Sequence, residues 1–360
     1  IQHNDRLEYF ANNLEIKSNE DILNEVKDFY AALTNRLFVM ERLKEQGIFD
    51  TIPNLVEDIK SFKELVLEKF RDTPWMNEKD ELGLSLISEF EDQINDLVVY
   101  YDLDENDRDL ELLRNINSNF LQNYYTAKQR STGIEVLDIL FALLDANRLL
   151  NLISDPENSL EANAFYDPDL NKVAILAPFM YPKLTDDDTF DRHYNLYSVV
   201  GHEIYHSIIL KKWANISNTF KSQMECFNGH FNRTCDSFGV GSCNSGAQTF
   251  TEDGADVEGF RTSYEFFSES YGAEDLKEIV YSSNLLSVTR EQAFFYLWGI
   301  TWCSTLSENV NHTDVHSPLQ IRVNGVMEQM PEFTKAFSCS PDQRLYTTKE
   351  QTCHLFGPDS

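Results

Sequence analysis

Apolar residues recur every three or four positions over much of the first 160 residues, which is the spacing of one helix face. The clearest run predicts a helix over residues 22–43. Similar runs predict helices over residues 77–100, 107–130 and 135–154. None of these segments carries a pattern typical of catalysis, so we interpret them as helices that pack into a core.

The pattern changes after residue 160. Residues 172–177 form a short apolar run that ends at Pro178, which predicts a strand. A helix is predicted over residues 191–213. Residues 228–244 are rich in Gly, Asn, Ser and Cys, which predicts a loop.

Helical patterns return near Thr251 and over residues 273–283 and 290–306. The alternation of helices with short strands predicts an α+β protein that is predominantly helical. We expect a helical N-terminal portion over residues 1–160 and a second domain over residues 161–360.

The net charge of the chain excludes some classes of binding partner. Acidic residues outnumber basic ones by 60 to 30, and the formal net charge is −30. Such a surface repels nucleic acids and anionic membranes and attracts cationic peptides. A role in solubility alone fits the charge equally well. No apolar run approaches the roughly 18 residues of a membrane span, and the apolar segment 292–303 predicts a buried core helix.

Six cysteines lie in the C-terminal part of the chain, and no CxxC pair is present. An even number of scattered cysteines fits disulfides of an oxidising compartment. Glycosylation sequons at Asn215, Asn232 and Asn311 agree with this interpretation. We therefore expect a secreted glycoprotein. Because the chain begins at Ile1 and not at Met, we also expect either a removed signal peptide or a trimmed segment before it.

His202 and His206 stand four positions apart, so on a helix both imidazoles share one face. Zinc accepts imidazole nitrogen at about 2.0–2.1 Å, and two such ligands supply part of a tetrahedral site. Glu203 lies beside that face, where a carboxylate can act as general base on water that zinc polarises. The alternative is a chance match on a surface helix. Against it, the apolar flanks predict a buried helix, in which two imidazoles need partners.

A third zinc ligand is predicted downstream. Glu252 and Asp256 are also four positions apart, so Glu252 can bind the metal while Asp256 accepts a hydrogen bond from a ligating His. His316 can donate to the oxygen on which negative charge develops, with Asp314 holding its ring. Arg322 can bind a substrate carbonyl or carboxylate. By spacing alone, however, these two are more often an ordinary loop histidine and a surface arginine, and only the family resemblance below selects them.

With these residues in place, the chain resembles the neprilysin family of zinc endopeptidases. The similarity is strong over about residues 160–356 and weaker over about residues 65–160. It is carried, in chain order, by Asn163-Ala164-Phe165-Tyr166, Val199-Val200-Gly201-His202-Glu203-Ile204-Tyr205-His206, Glu252-Asp253-Gly254-Ala255-Asp256, Thr313-Asp314-Val315-His316-Ser317-Pro318, Ile321-Arg322-Val323 and Pro331-Glu332-Phe333-Thr334-Lys335-Ala336-Phe337-Ser338-Cys339. The resemblance implies a thermolysin-like zinc peptidase fold with a small edge sheet, one zinc ion per chain and cleavage of extracellular peptides.

The resemblance also implies roles at the site. His202, His206 and Glu252 would hold the zinc. Glu203 would act as the general base, and Asp256 would orient a ligating His. His316 would stabilise the transition state.

On the substrate side, the resemblance implies that Asn163 and Ala164 bind the peptide backbone by strand addition. Arg322 would hold the backbone beyond the cut. The family prefers bulky apolar side chains just after the cut, and we expect Val199 and Trp302 to line that pocket.

Three departures from the family pattern affect function. The helical portion before Asn163 is shorter than in the family, so we expect a shortened member with a more open site. The family usually has an Asp that orients the second His where this chain has Ile209, and the loss of such a carboxylate typically costs about 10–100-fold in metal affinity or activity. Phe356 replaces a C-terminal tryptophan.

The cysteines are the fourth departure. The resemblance implies a Cys226–Cys353 disulfide. The family pairs its equivalents of Cys303 and Cys339 with N-terminal cysteines, which this chain lacks. We expect Cys303–Cys339 and Cys235–Cys243 as the remaining pairs.

Two functions therefore remain open. The first is a secreted zinc endopeptidase, supported by the presence of the complete set of site residues. The alternative is a secreted zinc-binding protein that binds peptides with weak or no catalysis, supported by Ile209 and the short helical portion. A structural ectodomain with a chance motif is a third interpretation, and it predicts no bound zinc.

Overall fold

The computed structural model describes residues 43–45, 47–76, 81–101, 163–176, 179, 187–193, 198–215, 217–238, 243–283, 286–303 and 314–360. The helices predicted over residues 107–130 and 135–154, and nearly all of the one over residues 22–43, lie outside them. The chain divides into two compact units, and one of these comprises Asp50–Asp102, Asn163–Ile175 and Pro182–Ser360. The boundary near residue 160 stays a prediction.

Helices dominate this unit, which confirms the predicted fold class. Three short 3-10 turns occupy Pro74–Met76, Lys211–Asn215 and Lys349–Gln351. The longer elements are α1 (Ile48–Arg71), α2 (Glu81–Asn95), β1 (Val98–Tyr101), β2 (Ala164–Asp167), β3 (Lys172–Ile175), α3 (Asp188–Arg192), α4 (Ser198–His206), α5 (Asn218–Phe238), α6 (Gly246–Asp275), β4 (Ile279–Ser282), β5 (Ser287–Thr289), α7 (Arg290–Thr301), α8 (Leu319–Met327) and α9 (Pro331–Ala336). Among the described residues, no helix has both the length and the apolar character needed to cross a membrane.

A three-stranded sheet lies beside the α4 helix. Its strand order is β1-β3-β2, with β1 parallel and β2 antiparallel to β3. Phe165 pairs with Ala174, and Val99 pairs with Val173. In this sheet β2 is an edge strand, so one row of its backbone groups is not used by a neighbouring strand.

The helix predicted over residues 77–100 ends earlier than expected. The α2 helix ends at Asn95, and Val98–Tyr101 form β1. These four residues are β-branched or aromatic, which favours a strand. Their partner β3 lies more than 70 residues away in the sequence, so the local pattern did not reveal the pairing.

The loop predicted over residues 228–244 is wrong over residues 228–238, because α5 continues to Phe238. Its buried residues Phe227, His230, Phe231 and Thr234 follow helical spacing. Burial of this face therefore outweighs the Gly and Asn content. Asn232 is exposed on this helix, Asn215 is exposed at the end of a 3-10 turn, and Asn311 lies outside the described residues.

Two other predicted helices are interrupted. The segment 191–213 contains α4 and a 3-10 turn as separate elements. Over residues 273–283, α6 ends at Asp275 and β4 follows. Gly272 has φ 73°, a left-handed conformation that favours glycine and breaks the helix one turn before its end.

Aromatic packing connects the C-terminal segment to the helices. Phe356, which replaces a tryptophan of the family pattern, contacts the ring of Phe70 at a centroid distance of 4.9 Å. Trp75 Nε1 donates to the Leu355 carbonyl at 2.9 Å. Arg261 donates to the Cys353 carbonyl at 2.6 Å. The C-terminal segment is thus part of the core of this unit.

The disulfides agree with two of the three expected pairs. Cys226–Cys353 and Cys235–Cys243 are formed. The expected Cys303–Cys339 bond is wrong, because both thiols are free.

The position of α9 on α7 agrees with the separation of these two thiols. The ring of Phe337, just after α9, packs on Tyr296. Cys303 lies seven residues beyond Tyr296, which is about 10 Å at helical rise. Cα atoms of a disulfide are only about 4.4–6.8 Å apart.

Candidate metal centre

The site forms where α4 crosses α6 at two glycines. A Cβ atom on Gly201 would lie 3.0 Å from the Gly259 carbonyl oxygen and 3.0 Å from Ser263 Oγ. The Tyr205 and Thr262 hydroxyls, 2.8 Å apart, join the same two helices. This close contact brings the histidines of α4 against the carboxylates of α6.

His202, His206 and Glu252 converge as the sequence predicted. The two Nε2 atoms lie 2.9 Å apart, and Glu252 Oε2 lies 3.3 Å from that of His202 and 3.2 Å from that of His206. Within the described residues, these three form the group whose ligand atoms are close enough to share one metal ion.

These residues fit a zinc ion. Glu252 Oε2 is buried and makes no hydrogen bond of good geometry with the described residues, although imidazole nitrogens surround it. Burial alone would raise the pKa of Glu252, but the neighbouring imidazoles of His202, His206 and His316 hold it well below its usual range. An ionised carboxylate with two imidazole nitrogens is a donor set that zinc favours.

Asp256 contacts the first histidine from behind. Its Oδ1 lies 2.8 Å from His202 Nδ1, which leaves Nε2 directed toward Glu252. Burial would raise the pKa of Asp256, but the charges of Arg322 and His202 outweigh burial. The net effect lowers the pKa, so the carboxyl stays ionised. Such a contact fixes the ring orientation of a metal ligand.

Arg322 has a partner that the sequence did not reveal. It is buried, and its Nε and Nη2 each donate to the Asp256 carboxylate at 2.6 Å. Trp302 covers it, with Arg322 Cζ 3.7 Å from the ring centroid. The predicted substrate residues Arg322 and Trp302 therefore contact each other, and their roles toward substrate stay predictions.

Glu203 is almost fully buried beside the histidines. Burial raises the pKa of this carboxyl, while the charges of His202 and His206 and the backbone N–H of Tyr166 oppose the shift. A raised pKa makes a carboxylate a better proton acceptor near neutral pH. Val199 lies one turn before Glu203 on the same face of α4 and is half-buried.

His316 faces the predicted metal ligands from a separate segment. Its Nε2 lies 3.3 Å from Glu252 Oε2, and its Nδ1 lies 2.8 Å from Asp314 Oδ1. The neighbouring Glu252 carboxylate raises the pKa of His316, and Asp314 adds to the shift. The ring is 47% exposed, so it remains open to a substrate.

Ala164 begins the edge strand β2, and Asn163 directly precedes it. Asn163 is exposed, its Oδ1 accepts a hydrogen bond from the Ala164 backbone, and Ala164 is buried. The strand contacts α4, and Tyr166 of the same strand donates to Glu203. The predicted backbone-binding residues are therefore close to the predicted base.

Residues 163–353, more than half of the chain, match the model of a protein family described as Peptidase family M13. The chain belongs to this family. The matched range contains the predicted zinc-site residues and the elements from β2 to α9. The elements α1, α2 and β1 precede it.

Curated relatives and solved structures agree with membership of Peptidase family M13. The chain is 27% identical to neprilysin-3 of Drosophila melanogaster and 25% identical to neprilysin of Mus musculus. These matches cover 52% and 54% of this chain but only 26% and 28% of the relatives. The chain thus spans little more than a quarter of the length of these curated relatives.

Two solved structures show the fold. The Haemonchus galactose-containing glycoprotein complex is 23% identical with a TM-score of 0.56, covering 84% of this chain and 50% of that chain. The zinc metalloprotease of Mycobacterium tuberculosis in its open state is 16% identical with a TM-score of 0.54, covering 96% and 53%.

Among the departures of this M13 chain from the family pattern, the structure explains Ile209 best. It is 1% exposed, and its Cδ1 would lie 3.4 Å from a Cβ on Gly254. Ile209 therefore fills space between the two site helices that a glycine leaves open. No described residue is hydrogen-bonded to His206 Nδ1.

Sequence reasoning missed Asp253, a buried carboxyl next to the third predicted ligand. Burial raises its pKa to about 8, although hydrogen bonds from Thr249 and Ser317 oppose the shift. Its neighbour Glu252 had a predicted role, but an acidic residue beside another acidic residue gives no signal of burial in the sequence. Ser317 follows His316, so this contact lies between α6 and the segment that carries His316.

Proposed function

We propose that this chain is a secreted, zinc-dependent endopeptidase that hydrolyses extracellular peptides. The observation that carries the proposal is the convergence of His202, His206 and Glu252 around a buried carboxylate oxygen, with Glu203 beside them. Membership of Peptidase family M13 supports it. The two bridged cysteine pairs support an oxidising compartment.

Each side chain of this site would have its own role in peptide hydrolysis. Zinc, when bound by His202, His206 and Glu252, would polarise water and the scissile carbonyl as a Lewis acid. Glu203 would accept the proton of the attacking water and pass it to the leaving amine. Its buried position excludes bulk water from that transfer.

Charge that develops on the carbonyl oxygen needs a donor. His316 would donate from Nε2, because Asp314 holds Nδ1 and favours the protonated ring. Asp256 and Arg322 would keep His202 in the orientation that the metal requires.

The peptide would add to the edge strand β2, with Asn163 and Ala164 binding its backbone. Arg322 would hold the backbone beyond the cut, and Val199 and Trp302 would select a bulky apolar side chain after the cut. The net charge of −30 favours cationic peptides.

The test uses purified protein, zinc analysis and a mixture of quenched peptides. We expect one zinc per chain and cleavage before bulky apolar residues, lost with a chelator. Glu203→Gln should keep the metal and abolish cleavage. Turnover retained in Glu203→Gln would contradict the role of Glu203. Bound zinc with intact peptides in the wild type would instead support the alternative, a zinc-binding protein that binds peptides without catalysis.

A further inference from the structure

Besides the Ser317–Asp253 hydrogen bond, one backbone carbonyl attaches the segment that carries His316 to the beginning of α6. The Asp314 carbonyl oxygen accepts a hydrogen bond from Asn244 Nδ2 at 2.7 Å and another from Gln248 Nε2 at 2.7 Å. Two amide donors on one carbonyl fix the position of that peptide group more firmly than either donor alone. Asn244 directly follows Cys243, which is bonded to Cys235 of α5.

The side chain of Asp314 in turn holds His316 in place. Its Oδ1 accepts from the His316 backbone N–H at 3.0 Å and lies 2.8 Å from His316 Nδ1. A fixed Asp314 therefore fixes both the backbone and the ring of His316. The ring itself is 47% exposed, so burial does not restrict it.

The same helix supplies the predicted metal ligand. Gln248 and Glu252 are four positions apart on α6 and thus lie on one face. The distance between His316 Nε2 and Glu252 Oε2, 3.3 Å, is consequently set from both ends by α6. An attachment through another helix would allow His316 to move relative to the metal ligands.

We propose that Asn244 and Gln248 are positioning residues, which hold His316 at the distance from the metal ligands that transition-state stabilisation requires. The inference rests on the proposed peptidase function and adds two residues to it. Both residues donate to the Asp314 carbonyl and act through Asp314 and His316.

The test is a double-mutant cycle on zinc-loaded protein. Gln248→Ala should lower kcat about tenfold with little change in KM, since small misplacements of a catalytic group cost up to about 100-fold. In a His316→Ala background, Gln248→Ala should lower kcat no further. A similar loss of kcat in both backgrounds would overturn the proposal.

Gln292→Ala is the matched control. Gln292 also lies in the first turn of a helix, and its amide donates to the Ala336 carbonyl at 2.8 Å, on a segment that does not carry His316. We expect this variant to lose some stability while its kcat stays unchanged. An equal loss of kcat in Gln292→Ala would show that the effect of Gln248→Ala is general destabilisation.

A second measurement separates this inference from the proposed function. The ring signals of His316, in protein labelled at histidine, can be assigned with His316→Ala and followed by NMR. Asn244→Ala and Gln248→Ala should each broaden or shift them, even if the wild type has no turnover. Absence of turnover in the wild type would overturn the peptidase proposal alone. Unchanged His316 signals in both variants would overturn the positioning role.

Discussion

Gly259 lies so close to His202 that a Cβ atom on Gly259 would come within 2.6 Å of the His202 backbone nitrogen and 2.8 Å of the Gly201 carbonyl carbon. Both contacts are with backbone, which cannot rotate away. The absence of a side chain here, as at Gly201, therefore permits the close crossing of α4 and α6, on which the predicted metal centre depends.

We predict that Gly259→Ala lowers zinc affinity. Alanine favours a helix over glycine by about 1 kcal/mol, but overpacking at a rigid contact costs typically about 1–3 kcal/mol and would move α4 away from Glu252. We expect at least an about tenfold loss of zinc affinity, similar to the loss of a contact that supports a ligand. Competition with a chromophoric chelator measures it.

Gly299→Ala is the control for this variant. Gly299 lies in α7, where the nearest atom to an added Cβ is Val323 Cγ1 at 3.9 Å. This variant should retain zinc affinity and gain up to about 1 kcal/mol of stability. Equal zinc affinities for the two alanine variants would show that the close crossing does not determine the site.

The spacing of residues along a helix explains why the sequence indicates which side chains come together as candidate metal ligands. His202 and His206 are one turn apart, as are Glu252 and Asp256, so each pair shares a face whatever the rest of the fold does. The order of the motifs then identified the family. The convergence of the two pairs depends on the glycine contact between α4 and α6, for which the sequence has no local signal.

Contacts between distant segments could not be predicted in this way. Arg322 and Asp256 are 66 residues apart, and a periodic pattern reports burial without naming the partner. The pairing of β1 with β3 could not be predicted for the same reason, since the two strands are distant in the sequence. Whether Cys303 and Cys339 meet also depends on long-range packing, here that of α9 on α7.

Arg322→Lys should separate support of the metal site from substrate binding. Lysine keeps the positive charge but cannot make the paired hydrogen bonds to Asp256, each about 1.5–3 kcal/mol for a charged group. We expect a lower melting temperature and weaker zinc binding, measured by calorimetry without any substrate. If Arg322 serves only the substrate, KM alone would rise and zinc affinity would stay constant.

Ile209→Asp tests the most conspicuous departure from the family pattern. From the pattern alone, an aspartate here would support His206 and strengthen zinc binding. The structure indicates the opposite, because Ile209 is buried against Gly254 and a carboxylate there would lose its hydration. We expect a loss of about 3 kcal/mol or more in the free energy of unfolding.

Ile209→Val provides the comparison, with an expected cost of only about 0.5–1.5 kcal/mol. Urea unfolding with and without zinc measures both variants. Unchanged stability together with tighter zinc binding in Ile209→Asp would mean that the position does reach His206.

Acid should destabilise the protein through buried histidines, of which His230 is the clearest. Its Nε2 lies 2.9 Å from the Gly325 carbonyl oxygen, and burial lowers its pKa from about 6.5 to about 4. Between these values the unfolded chain binds a proton that the folded protein does not, so stability falls as pH falls from about 6.5 to about 4. The limit of this effect is about 3 kcal/mol, from 1.36 kcal/mol per pKa unit.

His230→Gln can donate to the same carbonyl but does not titrate, so its stability should fall less steeply over this pH range. The nearby Glu328 carboxylate, 3.9 Å from His230 Nε2, is present in both proteins and affects the comparison little. Urea unfolding at half-unit steps from pH 7 to pH 4 gives the two slopes. A histidine that stays neutral when folded makes the wild type lose more stability in acid than the glutamine variant does. Parallel slopes would therefore mean that His230 is protonated in the folded protein.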